Sequence, residues 1–154
     1  MQGHDCVFEF DRTWDLSVPS EQLWPIVAVP HRYCEWWSWL ERFDADEFRV
    51  GADIPLVIKS PLWYRLHTVL HVDRLEPARW MDATVTGDLT GPASLMIRDT
   101  KQGCQVTVTW SLTVRRPDLR MMARVGRPVL IWAHQQIVDS ALEDFEERVL
   151  AARR

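Results

Sequence analysis

His134 is the side chain with the most chemistry to offer. It recurs with Leu130, Ile137, Ala141, Phe145 and Val149 at three- and four-residue steps, which places all six on one face of a helix. An imidazole on an apolar stripe points at whatever that helix covers. There it can be a hydrogen-bonded structural group, can orient a hydroxyl or carbonyl of a bound molecule, or can move a proton, since its ordinary pKa lies near neutrality. Trp132 and Gln136 sit two residues to either side of it.

Few other groups could share such work. Tyr64, Asp82 and Arg98 are the remaining candidates for acid or base chemistry. Asp82 alternates with Met81, Ala83 and Val85; the Met81 set is the more apolar and is assigned inward, which turns Asp82 outward. His67 and His71 lie four apart on a strand and so share a face, but roughly 13 Å separates them, too far to hold one metal ion. With Leu66, Leu70 and Val72 facing the core, both histidines face out. No Gly-x-Ser-x-Gly elbow, Cys–His signature, phosphate loop or zinc spacing occurs, so neither a metal nor a cofactor is expected.

The elements that must position these residues follow from periodicity. Residues 7–18 alternate loosely and end at Pro19, as a first strand does. Ser20 is a good N-cap, and Leu23, Trp24 and Val27 give a short helix ended by Pro30. A second short helical stretch over 31–40 carries Trp36, Trp37 and Trp39. Strands are expected over 47–50, 54–59, 63–75, 80–86, 93–99 and 104–114, separated by Gly, Pro and Asp turns. The last is the cleanest: Val106, Val108, Trp110, Leu112 and Val114 alternate with Thr107, Thr109, Ser111 and Thr113, one face buried and the other solvated. After Arg116-Pro117-Asp118 comes one long amphipathic helix. It is too long and too apolar along its stripe to stand alone, and the chain before it offers mostly strands to lie on.

Bulk properties bound the class. The 154 residues suit one domain spanning 1–154. A net charge of −4 gives no basic footprint for nucleic acid, and no apolar run reaches the roughly 18 residues of a membrane span. The first ten residues lack the order of a signal peptide, so the cytoplasm is the expected location. Cys6, Cys34 and Cys104 are far apart and read as reduced, mostly buried residues. Nine tryptophans stand against two tyrosines. They can fill a large core, or several can line an apolar cavity.

This order of elements resembles the helix-grip fold of the START/Bet v 1-like superfamily, and the sequence is similar to its bacterial polyketide cyclase/dehydrase-type branch. Three stretches carry the resemblance: Thr13-Trp14 through Val18-Pro19-Ser20-Glu21-Gln22-Leu23-Trp24 to Glu35-Trp36-Trp37; Val72-Asp73-Arg74-Leu75-Glu76-Pro77 through Trp80 to Gly91; and Arg127-Pro128 through Trp132-Ala133-His134-Gln135-Gln136-Ile137-Val138. Ala133 and Gln135 stand where that branch has Asn and Asp. The resemblance implies an α+β domain in which a curved antiparallel sheet of about six or seven strands wraps a long C-terminal helix, with two short helices after the first strand. It implies a hydrophobic or aromatic small molecule held between sheet and helix. Trp36, Tyr64, Trp110, Met122, Trp132 and His134 are the expected lining, with His134 the candidate catalytic residue should the chain be a polyketide aromatase/cyclase or dehydratase. A homodimer is a possible assembly. Arg115, Arg116, Arg120, Arg124 and Arg127 form a solvated rim, or a collar for an acidic ligand head or carrier protein.

Overall fold

The computed structural model describes residues 7–60, 62, 64–119, 132 and 134–136, and for Trp36 the backbone alone. Seven strands form one antiparallel sheet: β1 (Val7–Leu16), β2 (Leu40–Phe43), β3 (Asp53–Lys59), β4 (Arg65–Glu76), β5 (Trp80–Gly87), β6 (Leu89–Thr100) and β7 (Gly103–Val114). Their order is β1-β7-β6-β5-β4-β3-β2. Strands β2 to β7 thus make a meander, with β4 to β7 joined by short turns, and β1 pairs with β7, Phe8 opposite Leu112 and Leu16 opposite Cys104. Between β1 and β2 lie α1 (Ser20–Val27), a 3-10 turn (Pro30–Arg32) and α2 (Tyr33–Trp36).

Register assigns the faces. One set runs Phe8, Phe10 and Trp14 on β1, Val106, Val108, Trp110 and Leu112 on β7, Ala93, Leu95 and Ile97 on β6, Met81, Ala83 and Val85 on β5, Leu70 and Val72 on β4, and Ile54, Leu56 and Ile58 on β3. This inner face holds two apolar clusters. Helix α1 closes one with Leu23 and Val27 against Leu16, Val18, Ile97, Cys104 and Val106. The other joins Phe8, Ile54, Tyr64, Leu66, Val72, Ala83, Val85 and Leu112 with Phe43 and Phe48. The opposite face carries Thr107, Thr109, Ser111 and Thr113, as period-two alternation requires.

Several local expectations are corrected. Residues 47–50 form no strand: the Ala52 N–H bonds the Arg49 carbonyl at 3.0 Å in a turn, and Phe48 drops into the core while Val50 is exposed. Strand β2 falls just past the helical stretch expected over 31–40, where no element was expected; a bulge between Leu40 and Arg42 breaks the alternation that would have signalled it. Gly91 and Pro92, read as a turn, lie inside β6. Pro92 tolerates that place because the β6–β7 pairing lapses there, between Thr90↔Thr113 and Ala93↔Trp110. Ser20 is not the N-cap of α1, which is Pro19. Its backbone N–H and its hydroxyl both donate to the Asp99 carboxylate at 2.9 Å, so a strand residue 79 positions away supplies the cap. Those two bonds hold the Asp99 carboxyl below the usual carboxylate range.

Residues 117–119 and 134–136 are helical. The rest of the expected long C-terminal helix lies outside the described residues. Cys34 and Cys104 are free thiols, Cys104 buried. No helix among the described residues is long and apolar enough to cross a membrane.

Candidate functional site

The inner face is built around four rings. Phe10 and Trp110 are cross-strand partners, and their side chains stack at 4.0 Å with planes 12° apart. The Trp110 indole N–H donates to His134 Nε2 at 3.2 Å, with the two rings nearly perpendicular at 87°. The imidazole stacks on Phe8 at 4.7 Å and 7°. Alternation along β1 and β7 thus places two phenylalanines and a tryptophan where they fix His134 from two sides. Burial pushes the His134 pKa below 6.5, since the charged imidazolium is the form that loses most by leaving water.

Around these rings the inner face stays incompletely covered. Leu56, Ile58, Ala93, Leu95 and Trp110 project from β3, β6 and β7 toward the core yet remain half-buried, as do Trp37 and Trp39 beside them. Val108 and Leu95 bridge this strip to the cluster under α1. A strip of half-covered apolar side chains, flanked by two closed clusters and bearing one imidazole, is what a site for an apolar molecule requires.

The other anticipated residues divide. Tyr64 is buried in the larger cluster, with the Arg116 guanidinium 5.9 Å above its ring. Arg116 in turn holds Asp118 by two bonds of 2.8 Å and donates to the Arg65 carbonyl at 2.5 Å. Tyr64 thus belongs to the junction between β4 and the end of β7. Half the surface of Trp132 is exposed, and two residues along a helix turn a side chain about 200° from its neighbour's direction. The Trp36 side chain and Met122 lie outside the described residues. Asp82 is on the outer face bonded to Arg74 at 2.7 Å, Arg98 to Gln105 at 2.8 Å, and His71 to Asp53 at 2.7 Å. All three expectations of outward placement for His67, His71 and Asp82 agree with the strand register.

Sequence reasoning missed an aromatic cluster beneath the loops. The Tyr33 ring meets Trp37, Phe43 and Phe48 edge-on at 5.3, 5.5 and 6.5 Å, and Trp37 stacks on Trp39 at 5.3 Å. The Tyr33 hydroxyl donates to the Val27 carbonyl, and burial raises its pKa well above the ordinary phenol value. Only the density of aromatics between 33 and 48 signalled it, because no single periodicity runs through a 3-10 turn, a short helix and a bulged strand. On the outer face, an open depression of about 640 Å³ is lined by Asp73, Asp82, Thr84, Ser94, Thr109 and Ser111. Four of its groups pair with one another, Thr84 with Asp73 at 2.7 Å and Ser94 with Thr109 at 2.5 Å, and Phe10, Ala83, Pro92, Ala93 and Trp110 supply an apolar part of the lining.

No protein-family profile matches this chain and no curated protein resembles it in sequence. Solved structures do resemble it in shape. An aromatase/cyclase from a Streptomyces species aligns with a TM-score of 0.73 and 14% identity over 96% of both chains. A START superfamily protein from Mycobacterium smegmatis aligns at 0.64 and 13%, over 94% of this chain and 98% of that one. A polyketide-cyclase-like protein from Corynebacterium glutamicum aligns at 0.51 and 20%, over 99% and 92%. The curled seven-stranded sheet with short helices after its first strand is the fold that START and polyketide-cyclase-like proteins share, and this chain has it.

Proposed function

We propose that this protein binds a hydrophobic or aromatic small molecule on the inner face of its sheet, between the strands and the segment that follows β7. The single observation that supports it most is the half-covered strip of Leu56, Ile58, Ala93, Leu95 and Trp110 beside the Phe8–His134–Trp110–Phe10 assembly. Apolar side chains that point inward and stay partly uncovered gain roughly 25 cal/mol for each Å² a guest removes from water. Tryptophan at the contact makes the test direct. A panel of aromatic and lipid-like ligands is expected to quench tryptophan emission and raise the melting temperature for at least one member. A panel that leaves both unchanged contradicts the reading.

A second reading, cyclisation or dehydration of a polyketide-like substrate, draws support from the aromatase/cyclase at a TM-score of 0.73 and from the imidazole on the inner face. Fold is a weak guide to reaction type. His134→Ala is expected to abolish turnover while retaining binding; unchanged turnover removes His134 from the chemistry.

A further inference from the structure

Given that the inner face holds an apolar guest, we infer that Trp110 fixes His134 as a hydrogen-bond donor through Nδ1, and that the guest is a planar aromatic molecule presenting a carbonyl-type acceptor to it. This rests on the ligand-binding reading above and narrows it.

An indole N–H can only donate. The His134 Nε2 that receives it at 3.2 Å must therefore offer its lone pair. A neutral imidazole carries one N–H and one lone pair, so the proton sits on Nδ1. Both rings are held against rotation. Trp110 lies flat on Phe10 at 4.0 Å, and the imidazole lies flat on Phe8 at 4.7 Å. Turning the imidazole over would take Nε2 away from the indole. Among the described residues the imidazole makes this one hydrogen bond.

The consequence for a guest is specific. A pure hydrocarbon laid over His134 would cover the Nδ1–H without satisfying it, whereas a carbonyl oxygen would accept from it. The flanking surfaces are flat rings, which favour offset or edge contacts with an aromatic partner. The arrangement also constrains any reaction. With Nε2 occupied by the indole and Nδ1 already protonated, His134 can polarise a carbonyl but has no free lone pair with which to abstract a proton. Trp110 is then a positioning residue that acts through His134.

The experiment has two arms on the full chain. Long-range proton–nitrogen correlation spectra of the unliganded protein report the His134 tautomer directly. Binding is then compared for 9-fluorenone and fluorene, which share ring shape and differ by the carbonyl, in the parent and in Trp110→Phe. The expected results are the Nδ1–H tautomer, a preference for fluorenone of about tenfold beyond the difference in water solubility, and loss of that preference in Trp110→Phe. An Nε2–H tautomer overturns the inference whatever the ligands do, and it needs no variant to fold. The Nδ1–H tautomer with equal binding of the two probes overturns the donor role and leaves apolar binding standing. Binding of neither probe overturns the donor role and the apolar-site reading together.

Discussion

At the scale of the residue, the environment of His134 on the inner face has a measurable signature. Burial holds its folded pKa below the 6.5 of an exposed histidine. The unfolded chain therefore binds the proton more readily than the folded one. Stability carried by neutral His134 is fully present above about pH 6.5, and it is withdrawn as pH falls from there toward the lower folded value. Chemical denaturation across pH 5 to 8 is expected to show this decline in the parent and a shallower one in His134→Gln. An identical slope in both would place the imidazole in water. The residue itself was legible in the sequence, because helical spacing put it on an apolar stripe. Its partner was legible only in part: alternation placed Trp110 on the inward set of β7, but the pairing of Phe10 with Trp110 depends on β1 crossing the whole sequence to join β7. Spacing alone sets Trp132 apart from His134, as neighbours two apart on a helix face opposite ways.

At the scale of the element, the sheet's curl depends on close backbone passages that side chains would block. Gly91 in β6 has φ +155°, and a Cβ there would lie 1.9 Å from the Ser111 carbonyl oxygen on β7. Gly51 also has positive φ, +84°, but a Cβ would meet nothing within 4 Å. The two glycines therefore separate strain from clash. Gly51→Ala is expected to cost about 1 kcal/mol from backbone strain alone. Gly91→Ala should cost on the order of 3 kcal/mol or more, since backbone on a central strand must move. Urea melts of the two variants check this, and equal costs would mean that β6 and β7 separate freely at that point. Most strands were readable because β4, β5 and β7 alternate cleanly on one solvated and one buried face. Those that were not readable have a cause: β2 is bulged, and β6 hides a Gly-Pro pair where the ladder lapses. The cap of α1 was invisible for a different reason, since Asp99 reaches Ser20 only through the tertiary fold.

At the scale of the whole molecule, the two faces of the sheet divide the labour. The outer face satisfies its own polar groups, Arg74 with Asp82, His71 with Asp53, Thr84 with Asp73. The inner face leaves apolar area partly uncovered, and among the described residues the imidazole makes one hydrogen bond, to Trp110. Nuclear Overhauser contacts between bound 9-fluorenone and the methyl groups of the protein decide which face receives a guest. The account predicts contacts to Leu56, Ile58 and Leu95 on the inner face. Contacts instead to Val57, Val69 and Thr109, whose side chains point the other way, would contradict it.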